Sequence, residues 1–188
     1  MSYFPAFIKL DDKKVVLVGA GNIALEKLEK LIIFTKDIVV ISLEFSQDIL
    51  ALIEKENLTY EKRSYERGDI KDASIVIIAV DDLALQKSIY DESQDYKCLC
   101  NAVDSVEYCD FIFPSFIKND DLTIAVSTSG ASPAFAKHFR MYLEKMIPSG
   151  ISEFLLEMKE LRTSLPKGKE RMKMLDEKAK NYIKKWSE

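Results

Sequence analysis

Short apolar runs alternate with amphipathic stretches through the first hundred residues. Val15-Val-Leu-Val is apolar and mostly β-branched and stops at a glycine, and 24–34 follows with Ala24, Leu28, Leu31 and Ile32 at helical spacing. Strand, turn and helix are predicted in that order. Ile38-Val-Val-Ile repeats the strand signal, 47–56 reads as a helix, and 58–62 is a short polar-rich strand suited to a sheet edge. Ser74-Ile-Val-Ile-Ile-Ala is the most strongly buried strand of the sequence, followed by a helix over 83–91 and a strand over 98–103. Strands that alternate with helices imply parallel pairing in a sheet covered on both faces. The fold class is therefore α/β, a doubly wound parallel sheet.

After residue 110 the pattern changes. Phe111-Ile-Phe-Pro and 122–127 are predicted strands with no long helix between them, which implies an antiparallel or exchanged element. Ser132-Pro133 supplies an N-cap and a proline at the first position of a helix reaching about Ile147. Pro148-Ser-Gly150 breaks it, 153–162 is a second helix, and Pro166-Lys-Gly168 precedes a third that ends near Trp186. The predicted organisation is a sheet domain over 1–112, a small segment over 113–147 and a helical subdomain over 148–188.

Composition narrows the class. Of 188 residues, 47% are hydrophobic and 31% charged, with only 5 prolines, an ordinary folded protein. No run approaches the ~18 apolar residues of a membrane span, and Met1-Ser-Tyr-Phe-Pro lacks the basic-then-apolar pattern of a secretory signal. A cytoplasmic protein without a membrane partner is expected. Cys98, Cys100 and Cys109 are an odd number at a spacing that matches no familiar zinc or disulfide framework, and Cys98 and Cys100 share one strand face, so they read as buried thiols.

The net charge is −4, unevenly spread. Residues 1–112 carry 13 Lys and Arg against 21 Asp and Glu, 113–150 carry 4 against 3, and 151–188 carry 10 against 7. An acidic whole argues against a nucleic-acid partner. The basic tail suits a small anionic substrate, and it equally suits solvated helices.

The sharpest motif is Gly19-Ala-Gly21-Asn22-Ile23-Ala24, the G-x-G-x-x-A dinucleotide fingerprint, directly after a strand and opening a helix. Gly19 permits the tight turn, Gly21 leaves room for a pyrophosphate to approach the backbone, and Ala24 lets helix and strand pack closely. The helix N-terminus, through Asn22 and Ile23, adds N–H groups and partial positive charge. Glu44 lies twenty residues on, past the second strand, where a carboxylate bonds ribose hydroxyls and repels a 2′-phosphate. NAD is the expected cofactor, with an ordinary surface acid as the other reading of Glu44. Three further segments stand out. Asp81 and Asp82 follow the buried strand at its ligand-binding end, where they either line a crevice or cap the next helix. Asp104 ends the following strand at the same edge. Ser127-Thr-Ser-Gly-Ala-Ser-Pro133 sets a hydroxyl-rich turn before a helix, a place suited to an anion.

In this order the residues resemble the precorrin-2 dehydrogenase family, the NAD-dependent module of siroheme synthase. The likeness runs from Tyr3-Phe-Pro-Ala-Phe through Val15–Ala24 with Lys27, Ala79-Val-Asp81-Asp82, Cys100-Asn-Ala-Val-Asp104 and Phe111-Ile-Phe-Pro114 to Leu122–Pro133 and Arg140. It implies NAD-dependent removal of two hydrogens from precorrin-2 to give sirohydrochlorin, with Asp104 as the catalytic residue. It implies a homodimer that exchanges the segment matching 113–145. In some members it implies insertion of ferrous iron, with Asp104 helping to take up pyrrole protons. Ser127, Thr128, Ser132, Lys137 and Arg140 are candidates for holding the polycarboxylate substrate, and Asp81 for the cofactor. Val80, Gln86 and Ser129 depart from the family pattern, where threonine, asparagine and glycine are usual. Thr128 matches a serine that is open to phosphorylation in some relatives. Two other readings stay open: an NAD-sensing regulatory module without turnover, and a chelatase with a vestigial cofactor site.

Overall fold

Val15–Val18 forms strand β1 at the centre of the sheet, and its four apolar side chains are all buried, as only a strand covered on both faces allows. The computed structural model describes residues 3–187, which divide into two compact units, 3–112 and 113–187.

In the first unit the chain leaves β1 through helix α1 (Asn22–Leu31) to β2 (Ile38–Ser42), then through α2 (Gln47–Glu56) to β3 (Thr59–Lys62). It then crosses back to β4 (Ile75–Ile78) and continues through α3 (Leu83–Tyr96) to β5 (Leu99–Ala102). All pairings are parallel and the order is β3-β2-β1-β4-β5, with Val18 level with Ile41 on one side and Ile78 on the other. The short, polar β3 lies at an edge, as its composition predicts. Between β1 and β4 the direction of winding reverses. The loops after their carboxyl ends diverge there and leave a crevice for a ligand.

Alternation along each strand sorts the core onto two faces. Val16, Val18, Val76, Ile78, Cys100 and Ala102 join Ile89 of α3 in one cluster with Ile70 and Ala73 of the β3–β4 connection. The opposite positions, Val15, Leu17, Ile75 and Ile77, are equally buried, as are Leu28 of α1 and Ile49 and Ile53 of α2. Each such side chain stabilises by roughly 1.5–3 kcal/mol relative to exposure. Cys98 and Cys100 are free, buried thiols, as read from their spacing.

Three of the departures from the expected element boundaries have a visible cause. α1 begins two residues early and ends at Leu31, where the N–H groups of Phe34 and Thr35 both bond the Leu31 carbonyl and wind the chain into a turn. α3 runs five residues past 91. Its last turns are polar in sequence, yet Glu92 is buried because its carboxylate accepts Tyr65 OH at 2.8 Å and Gly68 N–H at 2.6 Å. The third difference concerns Phe111–Pro114, which forms no strand. Asn101 Nδ2 bonds the Phe111 carbonyl at 2.9 Å, Pro114 has no N–H to give, and the ladder begins at Ser115.

In the second unit β6 (Ser115–Asn119) and β7 (Leu122–Val126) form an antiparallel hairpin, followed by α4 (Pro133–Met146), α5 (Ile151–Ser164) and α6 (Lys169–Lys184). Ser132 caps α4 through Phe135 N–H, and Phe154 stacks on Tyr182 with ring centres 3.8 Å apart, joining α5 to α6. No helix among the described residues is long and apolar enough to cross a membrane.

Candidate active site

Gly19 turns the chain out of β1 with φ +105°, and its N–H bonds the Ile41 carbonyl at 2.8 Å. A Cβ on Gly19 would lie 2.2 Å from the Ala79 carbonyl oxygen, so the loop can press against the end of β4 only with glycine here. Gly21, the N-cap of α1, has φ −89° and nothing within 4 Å of the position a Cβ would take. Space is open in front of it. No side chain caps α1, whereas Ser46, Asp82 and Ser132 cap α2, α3 and α4. The N–H groups of Asn22, Ile23 and Ala24 precede the first intrahelical bond, Leu25 N–H to Gly21 O at 3.0 Å, and with the helix dipole they suit a pyrophosphate. These residues fit a dinucleotide.

Glu44 is exposed just past β2, its carbonyl accepting the Ser42 hydroxyl at 2.8 Å. On the other side of β1, the sheet hydrogen bonding continues beyond the strands: Ala79 N–H bonds Val18 O at 2.8 Å and Val103 N–H bonds Ile78 O at 2.9 Å. This carries Val80, Asp81, Val103 and Asp104 to the carboxyl edge. There they line a cavity of about 130 Å³ together with Ile23, Gln86 and Ser105. The two adjacent acids divide the roles that sequence left open. The Asp82 carboxylate accepts Ala84 and Leu85 N–H at 2.9 and 3.1 Å and caps α3, while Asp81 faces the cavity.

Asp104 is exposed at the rim with φ +60°, a left-handed conformation that aspartate and asparagine tolerate better than most residues. It turns the chain at the end of β5, so that the carboxylate stands at the mouth of the cavity instead of following the strand. The Lys27 ammonium on α1 is lowered in pKa, mainly by burial and then by Lys30, and the charges of Glu26, Cys109 and Asp104 oppose that shift. A cation thus lies within electrostatic reach of Asp104.

The structure therefore brings together, in one unit, the glycine loop, Asp81 and Asp104. Gln86 stood out in sequence only as a departure from the family pattern and was given no role in the site: it lies on the inward side of α3, where its amide holds the ends of two strands. Its signal was a polar residue at the buried position of a helix directly after a crevice-forming strand.

The hydroxyl-rich turn lies in the second unit. Ser127 Oγ accepts Ser129 N–H and Thr128 Oγ1 accepts Ser132 N–H, each at 3.0 Å, and Ser129 and Gly130 both have positive φ. The oxygens of Ser127, Thr128 and Ser132 are thus engaged in shaping the turn and capping α4, which leaves their hydroxyl hydrogens to donate. Lys137 is exposed on α4, and Arg140 pairs with Glu144 at 2.7 Å one turn on.

Comparison with known proteins agrees with this geometry. Residues 6–115 match the family model described as "Putative NAD(P)-binding", and 119–146 match the central region of sirohaem biosynthesis proteins. Over 152 residues, 80% of the chain, it is 36% identical to a siroheme synthase of Psychrobacter cryohalolentis, of which this covers 29%. A siroheme synthase of Pseudoalteromonas translucida is 32% identical over 151 residues, 80% of this chain and 32% of that protein. The chain thus spans about a third of the length of the curated relatives it matches. Among solved structures, one named SirC, precorrin-2 dehydrogenase, superposes with a TM-score of 0.79 at 22% identity, covering 93% of this chain and 88% of that one. This likeness establishes a shared fold.

Proposed function

Because the chain belongs to the NAD(P)-binding family whose model spans residues 6–115, we propose that it is a dehydrogenase of siroheme formation, oxidising precorrin-2 to sirohydrochlorin with NAD. The observation that carries the reading is Asp104: a carboxylate turned by its own backbone to the mouth of the cavity past β4 and β5, on the same sheet edge as the glycine loop. The reaction and its substrate come from the siroheme synthase relatives and the dehydrogenase of like fold. Glu44 at the end of β2 favours NAD over its 2′-phosphorylated form.

The chain's residues have distinct parts in this reaction. Gly19, Gly21 and the N-terminus of α1 hold the pyrophosphate, and Glu44 holds the adenosine ribose. NAD, when bound, supplies the hydride acceptor. Loss of two hydrogens as a hydride and a proton then requires a base, and Asp104 takes that proton at its carboxylate. The hydroxyls of Ser127, Thr128 and Ser132 with Lys137 serve the carboxylates of the tetrapyrrole, and Arg140 joins them on exchanging Glu144 for substrate.

The same proposal includes a homodimer. On α4, Phe135, Phe139 and Tyr142 stack along one face with ring centres 5.6 and 6.4 Å apart, and Phe135 and Tyr142 are more than half exposed. A second copy of the chain would cover that stripe, and sedimentation or light scattering checks it.

The test is turnover of precorrin-2 with NAD, followed by the absorbance of NADH and sirohydrochlorin. Asp104→Asn keeps a residue suited to the left-handed backbone and removes the base. Turnover is expected to fall about 10²–10⁴-fold, with NAD affinity within about twofold. Turnover near the parent level in the variant would overturn Asp104 as base. Binding of NAD by the parent chain without any turnover would replace the enzyme with a sensor.

A further inference from the structure

The amide of Gln86 carries the strongest unexplained feature of the cavity. Gln86 is 3% exposed on the first turns of α3. Its Nε2 donates to the Val80 carbonyl at 2.6 Å and to the Val103 carbonyl at 3.5 Å, so it ties the chain after β4 to the chain after β5. Both amide hydrogens are thereby spent on carbonyl oxygens, which fixes which end of the amide is oxygen. That oxygen, Oε1, is buried and has no hydrogen-bond partner. Buried acceptors are almost always paired, so one left over in the wall of a ligand cavity calls for a donor from outside the chain.

The donor is not supplied by the cavity. Asp81 and Asp104 present carboxylates, which accept when ionised, and the Ser105 hydroxyl does not bond Oε1. The position in the sheet identifies the donor. With the order β3-β2-β1-β4-β5, the adenosine end of a dinucleotide lies over β2 at Glu44 and the pyrophosphate at the glycine loop. Its other end then falls beyond β4 and β5, where Gln86 sits. Resting on the dinucleotide reading above, we propose that Gln86 Oε1 accepts the carboxamide N–H of the nicotinamide and so fixes which face of the ring is turned to Asp104. Gln86 is in this role a positioning residue whose rigidity comes from its two carbonyl partners.

The experiment uses ligands that differ at that one group. Dissociation constants of the full-length chain are measured by calorimetry for NAD, for its thionicotinamide analogue, which keeps the NH₂, for the 3-acetylpyridine analogue, which replaces it by CH₃, and for ADP-ribose, which lacks the ring. NAD and the thio analogue should bind alike, and the acetylpyridine analogue about tenfold more weakly, as expected when a buried acceptor is left unpaired. In Gln86→Met, NAD should weaken by about the same factor while the acetylpyridine analogue is unaffected, so the preference vanishes. Equal binding of NAD and the acetylpyridine analogue by the parent chain overturns the inference without recourse to any variant, and so does a preference that survives Gln86→Met. If the analogues bind equally and Gln86→Met instead weakens binding of precorrin-2, the donor is a pyrrole N–H and the nicotinamide assignment is wrong. Failure of ADP-ribose and NAD alike to bind would remove the dinucleotide reading itself.

Discussion

Two glycines two positions apart should respond in opposite ways to the same added methyl group. At Gly19 the backbone has φ +105°, and alanine there costs about 1–3 kcal/mol in backbone strain. Its Cβ would also lie 2.2 Å from the Ala79 carbonyl oxygen, against an ordinary contact of 3.4 Å or more. The loop and the end of β4 would have to part by more than an ångström, although β1 and β4 are bonded side by side up to Val18 and Ile78. Overpacking of this kind adds about 1–3 kcal/mol. Gly19→Ala should thus lose about 2–6 kcal/mol of a total near 5–15 kcal/mol, lowering the melting temperature by about 2–4 °C per kcal/mol. At Gly21 the conformation suits alanine and the space is empty, so the small loss of N-cap preference and the small entropic gain nearly cancel, within about 0.5 kcal/mol. The methyl group would instead stand where the phosphates approach. Gly21→Ala should fold like the parent and bind NAD at least about tenfold more weakly. Urea unfolding followed by circular dichroism, with calorimetric titration of NAD, measures both effects. A Gly19→Ala chain of parental stability, or a Gly21→Ala chain of parental affinity, would refute the roles assigned to the loop.

Two other consequences concern the scaffold. Tyr65→Phe removes the hydroxyl that Glu92 accepts in the core and should cost about 1–3 kcal/mol without changing NAD affinity, since Glu92 lies near the far end of α3; an unchanged melting temperature would show that the carboxylate finds water instead. Burial pushes the thiols of Cys98 and Cys100 up to about 12, so both stay protonated and slow toward a disulfide reagent at pH 8 until urea unfolds the chain. Their folded pKa lies above the unfolded value, so the stability they contribute is complete below about pH 8.5 and is lost as pH rises toward 12. Rapid reaction of all three cysteines in the native protein would contradict this.

Much of this architecture could be read from local pattern. The run Val15–Val18 ending at Gly19, the exact span of α2 and the proline-initiated α4 follow from apolar spacing and capping residues close in the sequence. What escaped depends on partners far along the chain. The last turns of α3 read as loop because Glu92 and Ser93 are polar, and only Tyr65 and Gly68, 27 and 24 residues away from Glu92, make that position habitable in the core. Phe111–Pro114 has the composition of a strand and forms none, because Asn101 holds the Phe111 carbonyl. Of the candidate site, the glycine loop and the place of Asp104 at the sheet edge follow from motif and strand end. The place of Gln86 does not, since its partners are carbonyl oxygens, which no residue type announces.

The parallel sheet also acts as a ruler. Neighbouring strands lie about 4.8 Å apart, and three such steps separate β2, which ends before Glu44, from β5, which ends before Asp104. The distance across the carboxyl edge is therefore about 14 Å, set by backbone hydrogen bonds rather than by any side chain. With the roles proposed for Glu44 and Asp104, a ligand that satisfies both ends has to lie stretched over β1, and a mononucleotide can satisfy only one of them. Strand count, not pocket shape, is thus the coarse filter for cofactor length, and the side chains at the rim refine a choice the sheet has already made.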